Sequence, residues 1–215
     1  MAIINNRKLT SRLITNALLL TAFMIPSSAW CYMIEVAGVD NAAVTNNTNV
    51  TRSYTSDRYT GFGVGLLVEG KPFGDSSMFG SSSSMDGLYT ELGLLYYPRM
   101  VGYGTSGTQS SNWLVLPLVE KYYFWNLSIG GGVYVAHAVG SIHSTSVAGT
   151  TGAFTFADGN LTTLDYGWTA NLGYSFSFWN LFTDLRYDVG LNNLTKTTGD
   201  TYKFSEYQLL VGVRF

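Results

Sequence analysis

From Tyr207 to Phe215 the chain places a large apolar side chain at every second position: Tyr207, Leu209, Val211, Val213 and Phe215. The residues between them are Gln208, Leu210, Gly212 and Arg214, with Glu206 just before. Successive side chains of a strand point to opposite faces, so this segment is expected to be a strand with one apolar face. The same period recurs upstream. Phe62, Val64, Leu66 and Val68 alternate with Gly61, Gly63, Gly65 and Leu67. Leu88, Leu92, Leu94 and Tyr96 oppose Tyr89, Glu91 and Gly93, and Leu127, Ile129, Val133 and Val135 oppose Ser128, Gly130, Gly132 and Tyr134. From Leu164 to Phe176 one parity is apolar or aromatic and the other holds Asp165, Gly167, Thr169, Asn171, Gly173 and Ser175. From Leu181 to Leu191, Leu185, Tyr187, Val189 and Leu191 oppose Asp184, Arg186, Asp188 and Gly190.

Two further segments complete the set. Trp113 to Tyr123 is apolar on both faces, carries Pro117 in its middle, and has adjacent charges at Glu120 and Lys121. One of those two charges must face the apolar side, and Lys121 is assigned inward. Tyr32 to Val39 is short, with Ile34 and Val36 opposing Met33 and Glu35. Eight strands result, and single-chain bacterial outer-membrane barrels have an even number.

Composition separates a barrel from a soluble β-sandwich, which would alternate as well. Only 12% of residues are charged, against about 25% in soluble domains. The second face of each strand is rich in glycine, serine and asparagine rather than charge, and glycine only weakens an exposed strand. Segments of about ten residues match the 9–11 that cross a bilayer as tilted strands. The expected fold is therefore all-β: an eight-stranded, antiparallel, up-and-down transmembrane β-barrel. A net charge of −2 suggests no strong electrostatic attraction to nucleic acid.

Residues 1–29 have the layout of a secretory signal peptide, leaving 30–215 as the barrel domain. Arg7, Lys8 and Arg12 precede a short apolar run from Leu13 to Ile25, and Ser27 and Ala29 provide small residues for cleavage. A spanning helix needs about 20 apolar residues, and this run is shorter and interrupted by Thr15, Asn16 and Thr21. Cys31 follows the bulky Trp30 rather than the small residue that precedes a lipid-modified cysteine, and as a lone cysteine it forms no internal disulfide. Phe124-Trp125-Asn126-Leu127 and Phe178-Trp179-Asn180-Leu181 are short turns of one type. The connections around 45–58, 100–111, 142–162 and 192–203 are long and polar, which puts the long loops at one barrel end. The Ser-rich stretch 70–83 departs from that alternation. Tyr122, Tyr123, Phe124 and Trp125, with Phe176, Phe178 and Trp179, suit an interfacial girdle.

In this order the segments resemble the porin-like outer-membrane β-barrel domain family of small eight-stranded proteins. The likeness runs from Thr60 to Phe215. It rests on Gly87–Tyr96, Leu116–Phe124, Gly130–Val135, Asp184–Asn193 and the ending Val211-Gly212-Val213-Arg214-Phe215. The first strand departs from the family pattern. The resemblance implies that the terminal ladder of Tyr207, Leu209, Val211, Val213 and Phe215 is an assembly signal, its Phe read by the barrel-assembly machinery.

Chemistry is sparse. The two histidines are His137, outward by parity, and His143, in a long loop beside Ser144. Some outer-membrane barrels hydrolyse lipids with a Ser and a His on the outer wall, but a working pair needs mutual reach and an orienting carboxylate. No paired histidines stand at ligand spacing and one cysteine builds no zinc site, so no metal or cofactor is expected. Gly61-Phe62-Gly63-Val64-Gly65 lies within a strand with no helix after it, which suits barrel packing rather than a nucleotide.

By parity Glu69, Glu91, Lys121, Asp165, Asp184, Arg186, Asp188, Glu206 and Arg214 point into the barrel. Eight strands leave an interior just wide enough for side chains, so these charges must pair. The set is mostly acidic: either pairing is incomplete or some carboxylates reach water at the ends. Lys203 has outward parity near the loop end, where its stem reaches headgroups. The sequence points to a monomeric, non-enzymatic protein of the bacterial outer membrane. Its interior is expected to be sealed, its lipid partners to surround it and its long loops to face outside. A small channel or transport accessory is the alternative, and a barrel lipid hydrolase a third.

Overall fold

A computed structural model describes residues 33–48, 60–71, 87–102, 107–146, 149–176, 180–199 and 201–215. The expected signal segment, most of the connections at 45–58 and 70–83, and the aromatics Phe178 and Trp179 lie outside the described residues. The strands are β1 (Met33–Thr48), β2 (Thr60–Gly70), β3 (Gly87–Gly102), β4 (Gly107–Phe124), β5 (Leu127–Ser146), β6 (Thr151–Phe154), β7 (Leu164–Ser175), β8 (Leu181–Gly190) and β9 (Thr201–Arg214). Pairing is antiparallel and sequential from β1 to β5, passes from β5 to β7, continues through β8 to β9, and returns from β9 to β1. The ring therefore closes. The protein is an eight-stranded up-and-down β-barrel, and β6 is a short extra strand added to the far end of β5.

The strand period survives folding. Along β7 buried and exposed residues alternate without interruption, and along β8 buried residues alternate with half-buried or exposed ones. Phe62, Val64, Leu66, Leu92, Leu118, Ile129, Trp168, Leu172, Leu185 and Val211 all expose large apolar groups on the outer wall. The same strands bury Leu67, Tyr97, Val119, Tyr134 and Leu210 among the interior charges. Apolar outside and polar inside is the reverse of a soluble domain, and water is the wrong solvent for such a wall.

Several strands are longer than the sequence suggested. Most of the expected loop at 100–111 belongs to β3 and β4, part of the one at 142–162 belongs to β5 and β6, and the short first strand runs on to Thr48. Beyond the apolar band neither lipid nor a barrel core asks for alternation. The backbone ladder nevertheless persists, because its N–H and C=O groups still need partners. His143 accordingly lies in β5 rather than in a loop, opposite Ser110 on one side and Ala153 on the other.

Two irregularities shape the wall. Pro117 faces inward in β4, where its ring lies against Gly93 of β3: a Cβ on Gly93 would meet the Pro117 Cγ at 2.7 Å. Pro has no N–H to give the ladder, and the bare glycine opposite makes room for its ring. Higher up, the β4–β5 register shifts between Ser110 and Asn112, with Gly140 at φ +82° on the β5 side. A bulge of this kind bends a strand and redirects the residues beyond it. Beyond it the end of β5 keeps its pairing with β4 and takes β6 on its other side.

Candidate functional site

Glu69, Glu91, Lys121, Asp165, Asp184, Arg186, Asp188, Glu206 and Arg214 are buried, and the structure adds Arg99. They form two groups along the axis.

The lower group centres on Lys121. Its Nζ lies 2.6 Å from Glu69 Oε1, 2.5 Å from Glu91 Oε2 and 2.6 Å from Asp184 Oδ2. Arg186 Nη2 reaches Glu91 Oε1 at 2.6 Å and Asp184 Oδ2 at 3.2 Å. Arg214 Nη2 stands 3.6 Å from Glu69 Oε2 and donates to the Tyr123 hydroxyl at 2.7 Å, while its Nη1 donates to Ser175 Oγ. Tyr123 in turn donates to Glu69 Oε2 at 2.8 Å. Lys121, Arg186 and Arg214 balance Glu69, Glu91 and Asp184. Isolated ions in so dry a space would cost several kcal/mol each; cations and anions at contact distance offset that cost.

The upper group centres on Arg99. Its Nη1 reaches Asp165 Oδ2 at 2.8 Å and its Nη2 reaches Glu206 Oε1 at 2.7 Å. The Tyr97 hydroxyl donates to Glu206 at 2.6 Å and the Tyr134 hydroxyl to Asp165 at 3.1 Å. Gln208 Nε2 donates to Asp188 Oδ2 at 2.7 Å and to the Tyr97 hydroxyl at 2.8 Å. One cation thus faces three carboxylates, and neutral donors supply the rest. The acidic excess does not drain to water at the barrel ends, since Asp165, Asp188 and Glu206 are all buried. Aromatic rings surround the Arg99 guanidinium, with centroids at 4.8 Å for Trp113, 5.0 Å for Phe204, 5.7 Å for Tyr134 and 5.9 Å for Tyr97. A flat, weakly hydrated cation suits both partners, stacking on rings while its edge binds carboxylates.

Arg99 was missed because Pro98 and the glycine-rich stretch after it resemble the start of a loop. Its parity was legible, since even steps lead from Glu91 through Gly93, Leu95 and Tyr97 to Arg99.

Both ends of the interior are capped. At the long-loop end Trp113 meets Phe156 and Phe204 edge to face, both at 5.9 Å between centroids, with Ile142 and Leu194 packed around them. Phe156 and Leu194 come from the β6–β7 and β8–β9 connections, which bond to each other. The Thr162 amide donates to the Leu194 carbonyl and the Lys196 amide to the Asn160 carbonyl. The descent of Phe156 is fixed by a reciprocal turn: the Thr155 amide and hydroxyl donate to Asp158 Oδ2 at 3.0 and 2.8 Å, and the Asp158 amide donates back to Thr155 Oγ1. These hydrogen bonds hold the Asp158 carboxyl below the usual carboxylate range. The space left beneath this cap, lined by Arg99, Trp113 and Phe156, is about 20 Å³, room for about one water. At the other end Tyr89 and Tyr123 pack edge to face at 5.0 Å, and the Arg214 guanidinium lies over Phe182 at 5.1 Å.

On the outer wall the adjacent charges of β4 separate: Lys121 is inward and buried, Glu120 outward and exposed. Tyr207, Leu209, Val211 and Phe215 also face outward and are exposed. Among the described residues the histidines do not assemble a catalytic arrangement. Ser144 follows His143 within one strand, so their side chains leave by opposite faces, and Ser144 Oγ donates to the Gly152 carbonyl at 3.4 Å. Among the described residues no group of His, Cys, Asp and Glu is arranged to hold a metal ion.

No known family model and no curated protein sequence matches the chain. Among solved structures it is similar to Ail, the attachment invasion locus protein of Yersinia pestis. The TM-score is 0.46 at 12% identity, covering 86% of this chain and 97% of that one. Ail in complex with the heparin analogue sucrose octasulfate gives 0.46 at 11%, covering 87% and 99%. Neisserial surface protein A gives 0.48 at 10%, covering 86% and 97%.

Proposed function

We propose that this chain is a non-enzymatic protein of the bacterial outer membrane, exported with residues 1–29 as a cleaved signal. In this reading the barrel is a sealed, rigid stalk whose long loops meet partners outside the cell. One observation carries it: a closed ring that exposes large apolar side chains on the outer faces of β2–β5 and β7–β9 encloses an ion-paired interior, with aromatic rings packed toward both ends. Lipid satisfies the wall, and among the described residues the space beneath the long-loop cap is about 20 Å³, room for about one water. A monomer suffices, because closure removes every sheet edge within the ring. The terminal ladder to Phe215 is the assembly signal in the same proposal.

A narrow channel is the second reading. It is favoured by buried atoms without a hydrogen-bond partner on the inner faces of β7–β9: Asn171 Oδ1, Arg186 Nε and Nη1, Asp188 Oδ1 and Gln208 Oε1. Two measurements on purified protein decide. The sealed barrel is expected to need detergent, to migrate anomalously on a gel until boiled, and to give a flat trace in a planar bilayer. Discrete conductance steps would replace it with the channel; solubility without detergent would end both readings.

A further inference from the structure

The exposed carboxylate of Glu120 lies in the apolar wall, in a groove that crosses four strands. Hydrogen-bonded rows of the sheet place Thr90, Glu120, Gly131 and Ala170 side by side on the outer face. The row above is Leu92, Leu118, Val133 and Trp168; the row below is Leu88, Tyr122, Ile129 and Leu172. Every residue of those two rows is large, apolar or aromatic, and exposed. A floor of small and polar residues thus runs between two apolar walls.

The glycine in this floor is not demanded by the barrel. A Cβ on Gly130 would strike Asn171 Oδ1 and meet the Glu120 carbonyl at 2.7 Å, and one on Gly132 would strike the Leu118 carbonyl. A Cβ on Gly131 would meet only the Thr169 carbonyl, at 3.6 Å. Space, rather than backbone fit, is what the glycine at 131 supplies.

The groove also has a direction. Measured from the short-turn end, Thr90 lies three residues into β3, Glu120 and Gly131 four residues from the ends of β4 and β5, and Ala170 five from the end of β7. The carboxylate end is therefore nearest the headgroups of the short-turn leaflet, and the floor climbs from there toward the bilayer middle. The wall rows are four residues apart along a strand, about 13 Å between backbones, less the side chains on either bank. That admits one acyl chain but not a helix, which is about 10–12 Å across.

Among the described residues the carboxylate has no cation beside it. Thr90 Oγ1 donates to Glu120 Oε1 at 2.9 Å, and among the described residues no basic side chain pairs with Glu120. The connection 72–86 at the same end contains no Lys or Arg. A lipid-facing charge is costly unless partnered.

We propose that this groove binds a single phospholipid with a primary-ammonium headgroup, an ethanolamine lipid of the periplasmic leaflet. Its ammonium donates to Glu120 and to the Thr90 hydroxyl, and one acyl chain lies along Gly131 and Ala170. Choline has no N–H to donate, and an anionic glycerol headgroup is repelled. The proposal rests on the membrane reading, whose own failure shows separately as solubility without detergent.

The test is native mass spectrometry of the folded, detergent-purified full-length protein, offered phosphatidylethanolamine, phosphatidylcholine and phosphatidylglycerol of matched acyl chains. The ethanolamine lipid is expected to be retained preferentially. E120Q is expected to lower that preference about tenfold, the loss of one charge-assisted contact. G131L, filling the floor, is expected to lower retention of all three lipids together. Heat-modifiable migration verifies that both variants fold. Equal retention of the three headgroups, an unchanged preference in E120Q, or full retention in G131L would overturn the proposal. So would a co-purifying protein released by E120Q in the absence of any headgroup preference.

Discussion

At the residue scale, Lys121 holds more of the interior together than any other side chain. Three carboxylates converge on one ammonium that is wholly buried. Removing one partner of a buried ion set costs about 3–5 kcal/mol, because the remaining charges cannot regain water. Lys121→Met is therefore expected to lower the urea midpoint of the vesicle-inserted barrel by that order. Adding Glu69→Gln to the Met variant should recover part of the loss, since one stranded charge is gone. Recovery is the informative readout, because a simple packing defect would deepen with a second substitution.

At the scale of elements, parity carried most of what the sequence revealed. It placed the inward residues of β7 and β8 without error because lipid on one side and a packed interior on the other both enforce the period of two. It failed where one side was lost. Above the apolar band Gly107–Ser111 has polar residues on both faces, so the upper parts of β3, β4 and β5 resembled loop. The long-loop cap was invisible for the same reason: Phe156, Leu161 and Leu194 stand in connections with no period to read. Glu120 and Lys121 could not both obey the pattern; Lys121 was assigned inward, and the structure buries it and leaves Glu120 exposed.

The cap carries its own prediction. Because hydrogen bonds from Thr155 depress the Asp158 carboxyl, the turn it makes is fully present above the ordinary aspartate value of 3.8 and is lost as pH falls through the lowered value. Hydrogen exchange at the Thr155 amide is expected to quicken across that acid window in the wild type. In Asp158→Asn the window should vanish. Protection that is flat with pH in the wild type would show that other contacts hold the turn.

At the scale of the whole molecule, the outer wall and the interior are two different solvents separated by one layer of backbone. Neighbouring positions on one strand should thus answer oppositely to the same change. Leu118→Arg puts a charge against acyl chains and is expected to cost about 2–4 kcal/mol if it lies near the midplane, falling toward the interfaces. Measured by refolding into vesicles of thin and thick bilayers, the penalty should grow with thickness. Equal cost in both would place Leu118 outside the hydrocarbon. Lys121, three residues along and facing the other way, carries its charge without lipid noticing.

The seam between β1 and β9 has a temporal consequence. Met33–Thr48 is among the earliest segments of the described chain and Thr201–Arg214 the last, yet they pair continuously from Glu35 opposite Arg214 to Thr48 opposite Thr201. Until the final strand arrives, the first strand has an unzipped edge and the lysine-centred cluster lacks Arg214. Contacts this distant in sequence are slow to form. Before that pairing the sheet is open along one edge, and the strand of fourteen residues that arrives last turns it into a closed object.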